Sequence, residues 1–155
     1  MDHSPLSASD GTADPVDSLV QWFEQLTPGH LSRLDAYYAP DAHFKDPFND
    51  VRGVVAITQV FEHMFAVLER PRFVVTQRIV QGSHAMLGWE FHFRMRRLGK
   101  PVDQCIRGIS VLHLDGHGRV ALHRDYWDAA EELYEKLPVL GRLMRWLRRM
   151  MSATA

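Results

Sequence analysis

Around Arg72 the spacing of apolar residues changes from about 3.6 to 2, which divides the chain into a helical first half and a sheet-forming second half. Before the switch, Val16, Leu19, Val20, Phe23 and Leu26 recur at helical spacing with Trp22 beside them. Asp14-Pro15 supplies an N-cap acceptor and a first-turn proline, and Thr27-Pro28-Gly29 stops the helix. A second, short helix is expected over about His30 to Tyr38, ended by Pro40. A third carries Val54, Ile57, Val60, Phe61, Met64, Phe65 and Leu68 on one stripe and closes at Pro71. Between the second and third lie a short strand, Ala42 to Asp46, broken by Pro47, and a loop from Phe48 to Gly53.

After the switch, Arg72 to Gln81 is rich in valine. From His84 to Arg96, the residues Ala85, Leu87, Trp89, Phe91, Phe93 and Met95 alternate with more polar ones. Gly99-Lys100-Pro101 turns into a strand from Val102 to Leu114. Asp115-Gly116-His117-Gly118 then folds it back into Arg119 to Tyr126. Turns this short imply antiparallel neighbours. The result is an α+β fold with three helices on one face of the sheet.

A chain of 155 residues has room for one such domain. We place it at 15–127, after a disordered polar tail (1–14) and before a helical extension (128–151) interrupted at Pro138. In that extension Leu137, Leu140, Leu143, Met144, Leu147, Met150 and Met151 follow helical spacing beside Arg142, Arg145, Arg148 and Arg149. A basic amphipathic helix can rest on an anionic membrane surface, but a lid or a homodimer contact is the favoured reading here. The net charge of −1 gives no basic field for nucleic acid. The single cysteine, Cys105, cannot close an internal disulfide, so a cytoplasmic protein is expected.

One segment is more specific than the rest: Tyr38-Ala39-Pro40-Asp41-Ala42-His43-Phe44-Lys45-Asp46-Pro47-Phe48, followed by Gly53 and the long helix. With Leu114-Asp115-Gly116-His117-Gly118-Arg119 and Tyr126-Trp127, it resembles the nuclear-transport-factor-2-like superfamily, which includes SnoaL-like proteins and ketosteroid isomerase. The resemblance runs from about Val16 to Trp127. It implies a strongly curled antiparallel sheet closed by the N-terminal helices into a cone, with a mostly apolar ligand site at its mouth. Ketosteroid isomerases place a general-base aspartate at the Asp-Pro-Phe motif and two oxyanion donors, a tyrosine and a protonated aspartic acid, deeper in the cone. By that resemblance Asp46 matches the base, while Trp22 and Ser110 stand where the two donors would be. Neither is an equivalent donor, which argues against steroid isomerisation itself. The superfamily's epoxide hydrolases use a carboxylate–arginine–carboxylate set, and here Arg107 is followed two residues on by Ile109.

The residues themselves carry more than one reading. Asp46 is either a turn aspartate bonding nearby backbone N–H groups or a carboxylate base at the cavity rim. His123, Asp125 and Trp127 share one face of the last strand and could supply an acid/base group, its orienting partner and an apolar wall. Ordinary alternatives are a hydrogen-bonded core histidine, and an Asp125 paired with Arg124 or Arg107. Phe91 and Phe93 read as core, whereas Trp89, between Gly88 and Glu90, is the better wall candidate. Phe48 and Phe61 complete the expected apolar lining.

Nine histidines raise the question of a metal, but His113 and His117, four apart, span the tip of a hairpin rather than a helix face, and His43, His84 and His92 have no cysteine or close carboxylate at ligand spacing. No metal and no cofactor are therefore expected. Gly116 and Gly118 are followed by no helix, so nucleotide binding has no support. Two functions fit: a cofactor-free isomerase, cyclase or dehydratase acting on a polycyclic or terpenoid-like molecule through Asp46 or His123, or a dimeric binding or protein-interaction module with the same pocket.

Overall fold

The computed structural model of the protein describes residues 14–97 and 100–129. The N-terminal tail, the tip of the turn at Gly99 and the helical extension to Met151 lie outside the described residues. The Asp14-Pro15 signal starts helix α1 (Pro15–Glu24), where Asp14 Oδ1 accepts from the Val16 N–H at 2.9 Å. Asp14 and Asp17 both ion-pair with Arg78 across the fold. A 3₁₀ turn (Pro28–Arg33) and the one-turn helix α2 (Leu34–Tyr37) replace the single second helix expected from the pattern.

Strand β1 (Tyr38–Lys45) begins four residues before the expected Ala42 and continues straight through Pro40. That proline sits in the stretch where the β1 register shifts, so its missing N–H costs no regular ladder bond. The expected loop contains a further strand, β2 (Asp50–Arg52), paired antiparallel with β1. Gly53, with φ 85°, then turns the chain and donates to the Ala42 carbonyl at 2.8 Å before helix α3 (Val54–Val67). Helix α3 ends before Pro71, and the proline lies inside β3 (Glu69–Gln81) instead. β3 is an edge strand with a register shift beside Pro71, and there the ring costs no ladder bond.

Strands β4 (His84–Arg97), β5 (Lys100–Leu114) and β6 (Val120–Trp127) follow the expected hairpins. The six strands form one sheet in the order β2-β1-β6-β5-β4-β3. It is mixed, because β1 pairs with β6 in parallel, with Phe44 opposite His123. Turn lengths report only neighbours in sequence, so this long-range pair was invisible to them.

The sheet is curved but open, its two edge strands not pairing with each other. Helix α3 packs on β1 and β2 at one edge and on β3 at the other. A flat six-stranded sheet would hold its edges about 24 Å apart. A 14-residue helix is only about 21 Å long, so contact with both edges draws the sheet around α3. The core lies between, with Tyr38, Leu34, Ile57, Leu87 and Leu112 fully buried.

Curvature brings Trp89 flat across the neighbouring strand at Gly108, its register partner. A Cβ on Gly108 would lie 2.4 Å from Trp89 Cη2 and 2.9 Å from the Tyr126 carbonyl, so only glycine leaves room for the indole. Gly108→Ala should therefore destabilise the protein by about 1–3 kcal/mol, the usual cost of overpacking. Urea unfolding of the two proteins measures it, and a difference in tryptophan fluorescence between their folded states should accompany it.

Candidate functional site

A cavity of about 430 Å³ lies between α3 and the concave side of the sheet. Its helix wall includes Phe61, His63 and Met64, and its sheet wall includes Trp89, Phe93 and Ile106. Phe73 and Phe91, stacked 4.4 Å apart, continue the aromatic lining. Phe91 and Phe93 are thus cavity wall as well as core: with the apolar face of a curled sheet turned inward, one aromatic stripe serves both. Phe48 and Trp127 meet edge-on at 5.4 Å beside the mouth, where Phe48 is 55% exposed.

The polar groups on this wall are few: Asp46, Asn49, His63 and Asp125. Asp46 directly follows β1 and holds its own hairpin. Its Oδ1 accepts from the Phe48 N–H at 2.7 Å and the Asn49 N–H at 2.6 Å, and its Oδ2 accepts from Asn49 Nδ2 at 2.9 Å. The turn-aspartate reading thus describes its bonding, while its position is at the cavity. Across the same hairpin, Lys45 and then His43 bond Asp50 and hold its carboxyl at about 2, well below the ordinary carboxylate range.

Asp125 is placed differently. A recess of about 20 Å³, room for about one water, opens beside Ser110, His123 and Asp125 at the deep end. There Trp89 Nε1 donates to Ser110 Oγ at 2.9 Å, and Ser110 Oγ donates to Asp125 Oδ1 at 2.5 Å. His123 Nε2 lies 2.8 Å from the same Oδ1, and His123 Nδ1 lies 2.6 Å from the Tyr38 hydroxyl. A carboxylate only accepts, so Nε2 carries a proton; in the neutral ring Nδ1 is then the acceptor and Tyr38 donates to it. One direction of donation satisfies all five side chains. Both bonds fall on Oδ1, and Asp125 also lines the 430 Å³ cavity under α3. The partners seen on Asp125 are Ser110 and His123, while Arg107 bonds Glu90 and Arg124 lies over the Tyr126 ring.

Trp22 stands apart. It is buried against Tyr37, stacked at 4.9 Å, and Phe61 lies edge-on to it at 6.3 Å. Among the described residues its Nε1 has no hydrogen-bond partner, and Trp22 is absent from the wall of the 430 Å³ cavity. The structure thus groups Asp46, Phe48, Phe61, Trp89, Asp125 and Trp127 on one cavity, sets Ser110 and His123 behind Asp125, and leaves Trp22 out. Tyr38 and His63 are the participants that the sequence reading missed. Tyr38 read as part of a helix stripe, and His63 lies on a helix whose apolar neighbours drew the attention. No local spacing marks either.

Residues 19–123 match the family model described as a SnoaL-like domain. No curated protein matches the chain. Among solved structures, one from Shewanella putrefaciens assigned as a SnoaL-like polyketide cyclase is 22% identical. The match covers 79% of this chain and 97% of that one, with a TM-score of 0.66. A hypothetical protein of ketosteroid isomerase-like fold from Catenulispora acidiphila, in complex with trimethylamine, is 17% identical over 79% of this chain and 91% of that one (TM-score 0.63). TsrD from Streptomyces laurentii is 19% identical over 80% and 92% (TM-score 0.61). At these identities the likeness establishes the fold.

The Tyr38 hydroxyl is pushed well above its ordinary value of 10.0, first by burial and then by the negative charge of Asp125. Below about pH 10 both folded and unfolded chains keep that proton. Above it the unfolded chain loses the proton first, so stability should fall with rising pH until the folded value is reached. Urea midpoints measured from about pH 8 to about pH 11 should show this decline. Tyr38→Phe should reduce the slope and lower stability at neutral pH by about 1 kcal/mol.

Proposed function

The chain belongs to the SnoaL-like domain family, and on that premise we propose that it binds a small, largely apolar carbonyl compound and moves a proton on it, with Asp125 as the base. The observation carrying this reading is a carboxylate on the wall of an apolar cavity, held from behind by His123 and Ser110 through one oxygen. The other oxygen removes a proton α to the carbonyl, leaving an enolate and a neutral Asp125. The acid then returns the proton at another carbon, as in isomerisation, or the enolate attacks a second carbonyl, as in cyclisation, and the alkoxide formed takes the proton back from Asp125. His123 and Tyr38 are positioning residues behind the base, not groups that touch substrate. Asp46 is a weaker candidate because both its oxygens already hold the hairpin. The Shewanella neighbour's assignment as a polyketide cyclase fits a substrate with several carbonyls.

One observation favours a second reading, a non-catalytic binding module. The donors expected at Trp22 and Ser110 are not offered to a developing oxyanion: Trp22 is off the cavity wall, and the Ser110 proton is committed to Asp125. In the catalytic reading His63, on the helix side, takes that place.

The two readings separate with β-tetralone, a bicyclic ketone with acidic α-hydrogens, followed by NMR in deuterated water. Full-length protein should accelerate α-exchange saturably. Asp125→Asn should lower that rate by about 10²–10⁴-fold with affinity for the ketone retained, and Asp46→Asn should change it less than about tenfold. Saturable binding without exchange supports the binding module. An unchanged rate in Asp125→Asn eliminates Asp125 as the base.

A further inference from the structure

The alternation that points Trp89, Phe91, Phe93 and Ile106 into the cavity points Glu90, His92 and Cys105 to the opposite face of the sheet. His92 and Cys105 are register partners on β4 and β5, and Glu90 is two residues from His92 on the same face. His92 Nε2 lies 3.0 Å from Glu90 Oε2 and 3.9 Å from Cys105 Sγ. One ligand atom from each of the three side chains lies within 4.8 Å of the others, and all three residues are half-buried.

The geometry points to a divalent transition-metal site of the zinc class formed by Glu90, His92 and Cys105, with its fourth position open to water or to a donor from another molecule. With bonds of about 2.0–2.1 Å to nitrogen and oxygen and about 2.3 Å to sulfur, tetrahedral edges are about 3.3 Å for N···O and about 3.6 Å for N···S. The observed 3.0 and 3.9 Å fall within a few tenths of an ångström of these values. The sulfur–carboxylate gap needs to close by at most about 1.2 Å to reach a tetrahedral edge, which side-chain rotation on a rigid two-strand frame supplies.

The charges agree. A thiolate and a carboxylate balance a dication, the thiol proton leaving to solvent on binding. Arg107 Nε donates to Glu90 Oε1 at 3.0 Å, which leaves Oε2 for the metal and fixes the carboxylate plane. The ligand set of one sulfur, one imidazole and one carboxylate selects zinc over magnesium or calcium. Spacing along the chain hid the site because Cys105 reaches His92 only across the hairpin.

The test uses full-length protein with Zn²⁺, competed against a chromophoric chelator, and with Co²⁺ as a spectroscopic probe. The site predicts one equivalent of tightly held Zn²⁺ and a thiolate-to-Co²⁺ charge-transfer band. Cys105→Ser and His92→Gln should each weaken binding by at least the roughly 10–100-fold that a change one layer behind the ligands costs. The control His84→Ala, His113→Ala should leave it unchanged. Circular dichroism checks that the variants fold, and the cobalt band in the unaltered protein needs no variant. No thiolate band, or zinc affinity unaffected by Cys105→Ser or lost with the two control histidines, overturns the site.

Discussion

Both ring nitrogens of His123 are bonded in the deepest part of the molecule, and the rest of the structure is arranged around that requirement. The ring is 3% exposed and packed edge-on by Phe23 and Phe44 at 5.7 and 4.9 Å, so its nitrogens depend on partners inside the fold rather than on bulk solvent. An unpaired nitrogen there would cost about 1–3 kcal/mol. Tyr38 supplies one partner from the start of β1, and Asp125 supplies the other from two residues along β6. The parallel β1–β6 pair sets Phe44 opposite His123 and brings Tyr38 within reach. Asp125 is in turn fixed by Ser110, whose oxygen accepts from Trp89, and Trp89 fits only because residue 108 is glycine. Polar satisfaction and aromatic packing are one network here.

That network gives the cavity a polarised end. Its walls are phenylalanine, tryptophan and aliphatic side chains, while Asp125 presents a carboxylate whose orientation is set before any ligand arrives. The curvature that makes the cavity also exposes the alternate side chains of β4 and β5 on the other face, where Glu90, His92 and Cys105 meet. A single alternation therefore builds two chemically different surfaces. Among the described residues no helix is long and apolar enough to cross a membrane.

Much of this was legible in the order of residues, and the reasons are specific. The change of period near Arg72 predicted helices then strands, and Asp115 to Gly118 predicted the last hairpin, because both are local signals. The segment from Tyr38 to Phe48 supported the family. Pro40 and Pro71 misled, since each reads as a terminator but sits where the ladder is already irregular. The site was legible as a set of positions on β6, while its partners were not. Tyr38 is 85 residues from His123, Ser110 is 15 from Asp125, and Cys105 is 13 from His92. The first pair depends on register across a parallel neighbour, which no local pattern specifies, and the other two on the residue-exact register of the β5–β6 and β4–β5 hairpins. Trp22 shows the opposite error: a position assigned by the resemblance packs edge-on to Phe61, off the cavity wall.

Where a small apolar carbonyl compound sits is open to direct test by intermolecular NOEs between β-tetralone and methyl-labelled protein. A ketone in the cavity under α3, its polar end toward Asp125, should give contacts to the methyls of Met64, Leu68 and Ile106, which line that cavity. Contacts confined to Ile79, Met86 and Ile109, which are exposed, would contradict that placement.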